Sequence, residues 1–190
     1  MNPTETLSGV CALLAKGATG KAAATIARSY PFVKVPPSTR TYSESLATRV
    51  FVRDGFIDRY TGERLIFPGT LRLLSLKLPE VFPYHRNWKV SATHPAYWQL
   101  CATLDHKIPV SRGGDNDSVD NLVTTSMLRN SAKAHWLLEE LGWSLKPCGD
   151  FAEWDGLIGW FVAQTAADSS LLHSRSLRLW RFAAELYAAA

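Results

Sequence analysis

The segment TLDHKIPVSRGGDND, residues 103–117, sets a carboxylate beside an imidazole and follows them with a proline, an arginine and two glycines. Asn121 stands fifteen residues after His106, Asn130 nine after that, and Lys133 three further on. Hydrolysis of a phosphodiester calls for such a set. Neutral imidazole is the side chain best poised to deprotonate water near neutral pH. Charge growing on the phosphorane and on the leaving 3′-oxygen needs a cation, typically a divalent metal. Hard divalent ions prefer carboxylate and amide oxygens. His106 is therefore the candidate general base, and Asp105 and Asn130 are the candidate metal ligands. Asn121 can hydrogen-bond a backbone carbonyl or the imidazole and so fix the histidine's pose. Lys133 or Arg112 can meet a non-bridging phosphate oxygen. Lys107, Arg112 and Arg129 are the candidate nucleic-acid contacts.

These side chains need elements that bring them together. CATLDHKIPV reads as a strand interrupted at Pro109, RGGDNDSVDN as a loop, NLVTTS as a second strand, and SMLRNSAKAHWLLEEL as a helix. Adjacent strand residues point to opposite faces. At a strand end, however, a bulge or bend can bring Asp105 and His106 towards one site. Asn130 and Lys133 share a helix face through their i, i+3 spacing. His135, five residues from Asn130, lies well round the helix and is the rival for the Asn130 role. Gly113 and Gly114 read equally as a flexible turn or as a place for close phosphate approach. DNDSVD has the composition of a calcium loop but neither the spacing nor the terminal glutamate of an EF-hand.

Over residues 101–136 the order DHKIP, GG, NLVTT and NSAKAH resembles the HNH nucleases and their ββα-metal fold. The resemblance implies that His106 is the general base, that Asp105 binds the metal, that Asn121 orders the loop and the base, and that Asn130 is the second metal ligand. Lys133 matches the helix lysine of an NxxK pattern. Asn130 stands where the family often has histidine, although asparagine also occurs there. The zinc-binding CxxC pairs common in the family are missing. The outer scaffold must then be held by core packing, for which the seven tryptophans are candidates. RDGFIDRYTGERL, YHRNWK and THPAYW also resemble bacterial HNH proteins of about this length.

The remaining sequence reads as a mainly helical shell. Residues 4–28 are Ala-rich and helical, divided near Gly17 and Gly20. YPFVKVPPSTR, with prolines at 31, 36 and 37, is the candidate linker. SESLATRVFVRDGF resumes as a helix that Ser43 could cap. FIDRYTGERLIFP reads as a β-hairpin turning at TGE. RDGFIDRYTGERL, with Arg53, Arg59 and Arg64 close in sequence, could read DNA or simply face water, and the second use is favoured. TLRLLSLKLP and HPAYWQL read as helices, the latter with Pro95 in its first turn. His94 reads as a cap or packing residue, and His85 and His94 are the remoter candidates for the site. The tail reads as two helices separated near ADSS. Its HSRSLRLWRF face suits core or dimer packing before nucleic-acid contact.

Bulk properties bound the class. Net charge is +4, with the positive excess in residues 1–135, which suits a nucleic-acid partner. The three cysteines are far apart and favour free thiols in a reducing compartment. No apolar run approaches the roughly 18 residues of a membrane span. The expectation is an α+β protein with a ββα-metal core (101–140), preceded by a helical segment and linker (1–40) and a helix–hairpin–helix scaffold (41–100), and followed by C-terminal helices (141–190). It is expected to be cytoplasmic, to use one Mg²⁺-class ion with Mn²⁺ as an alternative and Zn²⁺ less suited, and to act on double-stranded DNA, with a homodimer if both strands are cut. Two other readings stay open: a nucleic-acid-binding module without catalysis, and a nuclease for RNA, including a toxin.

Overall fold

A computed structural model describes residues 2–32 and 42–187. The chain divides into two compact units, residues 1–38 and 39–190. Most of the candidate linker, residues 33–40, lies outside the described residues.

The first unit is a helical hairpin, α1 (Pro3–Ala15) and α2 (Thr19–Ser29). Asn2 caps α1 by accepting from the Thr4 amide, and Pro3 occupies the first turn, where a missing N–H costs nothing. Gly17 takes φ +70° and turns the chain between them, whereas Gly20 falls inside α2. The two helices pack on each other around Val10 and Ala22.

In the second unit, α3 (Glu44–Arg53) begins at Ser43, whose hydroxyl accepts from the Leu46 amide at 3.1 Å. Then come α4 (Pro68–Lys77), the short α5 (Ala96–Gln99), β1 (Ala102–His106), β2 (Leu122–Ser126), α6 (Met127–Lys133), α7 (Ile158–Ala167) and α8 (Arg175–Glu185). β1 and β2 form one antiparallel pair, with Asp105 opposite Val123 and His106 opposite Leu122. The architecture is mainly helical, with this small sheet set among the helices. α3, α4, α7 and α8 pack together around Phe51, Phe56, Phe67, Leu73, Phe161 and Leu177. α4 also faces a second cluster, in which Leu71, Tyr97 and Cys101 meet Tyr84, Trp88 and Trp98. Buried there, the Cys101 thiol is pushed up to about 12 and stays neutral. Among the described residues no helix is long and apolar enough to cross a membrane.

Two expected elements come out differently. The hairpin over residues 56–68 is reduced to a single bridge between Ile57 and Arg64 around Gly62 at φ +84°. Its outer backbone groups serve other segments. Arg59 N donates to Thr124 O at 2.9 Å, Ile66 N to Leu100 O at 2.7 Å, and Ala102 N to Ile66 O at 3.0 Å. The helix expected to run from Ser126 to Leu141 stops at Lys133, because Ala134 adopts φ +48° and reverses the chain. The Pro95 and ADSS expectations hold: Pro95 precedes α5, and residues Ser169–His173 form a 3₁₀ turn between α7 and α8.

Candidate functional site

β1 ends without a bulge, so Asp105 and His106 keep the alternation of a regular strand. The chain bends only beyond His106, at residues 107–108, and the two side chains enter different networks. The Asp105 carboxylate is buried. Its Oδ1 accepts the His106 amide at 2.8 Å; its Oδ2 accepts the Tyr60 hydroxyl at 2.8 Å and pairs with Lys133 Nζ at 3.1 Å. Lys133 Nζ also donates to the His106 carbonyl at 2.7 Å. The lysine therefore links the two strand-end residues through carboxylate and main chain. Its side chain is 0% exposed. The expected phosphate contact of Lys133 does not fit this placement, because the ammonium is enclosed and directed at acceptors on β1.

His106 is buried with Nε2 2.9 Å from Tyr42 Oη and 3.1 Å from the Asn116 carbonyl. A carbonyl only accepts, so the arrangement that satisfies both contacts puts the proton on Nε2. Tyr42 Oη then accepts from the imidazole and can donate to the Asn116 carbonyl or Oδ1, each at 3.4 Å. In the neutral ring Nδ1 is left as the basic nitrogen. Asn121 does not open the second strand but ends the turn Val119–Asn121 just before it. Asn121 Nδ2 donates to Ile108 O at 2.9 Å and to Asp115 O at 2.8 Å, while Oδ1 accepts the Ile108 amide at 3.0 Å. One amide thus ties Ile108 to Asp115, the residue just before Asn116. Gly114 is needed for that closure: a Cβ there would lie 1.9 Å from Ile108 O and 2.8 Å from Asn121 Nδ2. At Gly114 the close approach is made by the chain's own backbone, while Gly113 faces open space.

Asn130 Nδ2 donates to Leu104 O at 2.8 Å, which turns its Oδ1 the other way. Asn130 and Lys133 thereby satisfy two carbonyls on one edge of β1, those of Leu104 and His106. Among the described residues no group of three His, Cys, Asp or Glu side chains could hold a metal ion. The donors at hand are oxygen. Asp105 Oδ2 already has two partners, while Oδ1 has one and keeps a lone pair. That lone pair and Asn130 Oδ1 suit a hard ion that retains most of its water, as Mg²⁺ does, and not the closed nitrogen and sulfur set of Zn²⁺.

Four residues here escape any local sequence pattern. Tyr60 and Tyr42 reach Asp105 and His106 across 45 and 64 residues. Burial, and then the Asp105 charge, hold the Tyr60 phenol far above its ordinary range, so it remains a donor. Asp54 and Asp58 are fully buried. Asp58 accepts from Tyr60 N at 2.9 Å, Thr125 Oγ1 at 3.1 Å and Ser126 N at 2.9 Å. Asp54 accepts from Thr124 N at 2.8 Å and pairs with Arg53 and Arg59, each at 2.9 Å. Burial opposes the ionisation of Asp54, but the Arg53 guanidinium and the Thr124 amide outweigh it and hold the carboxyl below its usual range.

The candidate cations separate. Arg112 pairs with Glu140 at 2.6 Å. Lys107 is half-buried and its amide donates to Asn121 O. Arg129 is half-buried on α6, beside Asn130. Arg53 and Arg59 turn inward to Asp54, and Arg64, exposed, lies over Trp154 with 5.3 Å to the ring centre. His94 stacks on Phe82 at 4.2 Å and accepts the Ala96 amide, as a cap and packing residue. His85 accepts from Asn87 N, and His135 is exposed beside Trp136, past the end of α6.

No family model matches the chain, and no curated protein or solved structure matches it either.

Proposed function

We propose that this chain is a metal-dependent endonuclease of the HNH type, hydrolysing phosphodiester bonds in DNA. The observation that carries the reading is the state of His106. Its Nε2 is committed to the Asn116 carbonyl and Tyr42, which leaves Nδ1 to take a proton from water. Asn121 holds the loop that supplies that carbonyl. Asp105 and Asn130 would hold one Mg²⁺-class ion, which when bound stabilises the leaving oxygen. Lys133 and Tyr60 orient the Asp105 carboxylate. Lys107 and Arg129 are the cations left to meet phosphate, and such contacts position a strand without reading its bases.

The test is cleavage of supercoiled plasmid by the wild type and by His106→Ala, in EDTA, Mg²⁺, Mn²⁺ and Zn²⁺. Metal-dependent nicking or linearisation by the wild type alone is the expected result. The buried Lys133 partner of Asp105 favours a second reading, a nucleic-acid-binding module without catalysis, because the carboxylate already has its counter-charge. That reading expects binding by both proteins and no cut with any metal. An RNA substrate in place of DNA completes the set.

A further inference from the structure

Beyond His106 and the metal ligands lies a cavity of about 280 Å³, lined by Tyr60, Thr61, Arg129, Trp143 and Lys146 among others. The volume lies just below the range of ligand pockets, which starts at about 300 Å³, so it suits one monomer unit and not a polymer groove. Its wall joins the candidate site, since the Tyr60 side chain that lines it donates to Asp105. Its chemistry is mixed. Tyr60 and Trp143 lie 5.6 Å apart at 45°, with Tyr60 buried and Trp143 half-exposed as a platform. Arg129 and Lys146 supply two positive charges, and among the described residues neither head group has a hydrogen bond or ion pair. The loop bearing Lys146 is fixed: Lys146 N donates to Arg59 O and Lys146 O accepts from Arg59 Nε, both at 2.7 Å.

An indole beside two cations, one residue from a candidate metal ligand, matches a nucleobase with its phosphate. We propose that this cavity takes one unstacked nucleotide of the DNA strand next to the scissile phosphodiester, its base on Trp143 and its phosphate between Arg129 and Lys146. The proposal rests on the phosphodiesterase reading and adds a substrate class, DNA with an unpaired nucleotide. Extruding a base costs least where it is already unpaired, and stacking on an aromatic ring is sequence-tolerant.

The experiment measures binding without cleavage. Full-length protein in the His106→Ala background is titrated with fluorescein-labelled DNA duplexes, one fully paired and one with a single unpaired thymidine, and anisotropy is read. The unpaired duplex should bind roughly tenfold more tightly, the scale of one base–aromatic stack. Trp143→Ala should bring the two affinities together, and Trp143→Phe should keep most of the difference. Thr61→Trp, which fills the cavity without removing the indole, should also abolish the difference and serves if Trp143→Ala fails to fold. Equal affinity for the two duplexes, or a difference that survives both Trp143→Ala and Thr61→Trp in folded protein, overturns the proposal. A Trp143-dependent difference in a chain whose wild type never cuts plasmid supports the cavity while sinking the nuclease reading.

Discussion

The Tyr60 hydroxyl donates to Asp105 Oδ2 at 2.8 Å, so a residue of the scaffold loop fixes the carboxylate at the end of β1. The phenol shares that oxygen with the Lys133 ammonium, and the oxygen's acceptor capacity is filled. Oδ1 is then the oxygen with room for a cation. Tyr60→Phe removes the donor and little else. It should lower stability by about 2 kcal/mol, as expected for a lost bond to a charged acceptor. It should lower kcat for plasmid nicking roughly tenfold with KM little changed, because the lost hydroxyl orients Asp105 while the ring that lines the cavity is kept. Urea denaturation and steady-state nicking check both; unchanged kcat would remove Tyr60 from the site.

Lys133 makes a sharper case. Breaking a buried pair by removing one charge costs about 3–5 kcal/mol, because the other charge is stranded. Lys133→Met should fall in that range by urea denaturation. Lys133→Met combined with Asp105→Asn should recover much of the loss, since no uncompensated charge is left. A single variant as stable as wild type would mean that the pair is not closed in solution.

Stability should also depend on acid through Asp54. Its folded-state pKa is depressed below the unfolded value, near 3.9. The sign follows by linkage: the stabilisation is fully present above the unfolded pKa and is lost as pH falls through the folded one. Urea midpoints should hold from neutral pH down to about 5 and drop below about 4. Asp54→Asn should lower stability at pH 7 by about 2 kcal/mol, through its arginine and amide contacts, and flatten the acid limb. An acid limb equally steep in the variant would assign the effect to other carboxylates.

Ala134 takes φ +48° and ψ −118°, a conformation suited to glycine, at an exposed position. Ala134→Gly should stabilise the chain by about 1 kcal/mol, as relief of strain outweighs the added freedom of the unfolded state. A shift of the thermal midpoint upward by a few degrees is the readout; a downward shift would show that the turn is not strained.

The sequence was most informative where the pattern was local. The ββα order, the Ser43 cap and the break at Gly17 all depend on neighbours in sequence or on turn chemistry, and each is found. The reach of α6 was overestimated because apolar periodicity continues past Ala134, and a backbone reversal leaves no trace in that period. The 56–68 hairpin failed for a tertiary reason, since its edges hydrogen-bond β1, β2 and the approach to α7. Tyr42, Tyr60, Asp54 and Asp58 were illegible because their partners lie tens of residues away. Lys133 was read as a charge for substrate; nothing in its spacing from Asn130 says that the helix face it shares is turned to β1.

The outward edge of β2 is closed by side chains and loop. Leu122 O accepts from Arg53, Thr124 N donates to Asp54, Thr124 O accepts from Arg59 N, and Ser126 N donates to Asp58. A two-stranded sheet would ordinarily present such a row as a template for another strand. Here the row is already spoken for, so two copies cannot assemble by extending the sheet through β2. Nor can the ββα segment be cut free and keep its shape, for residues 53–59 close that edge as a third strand would.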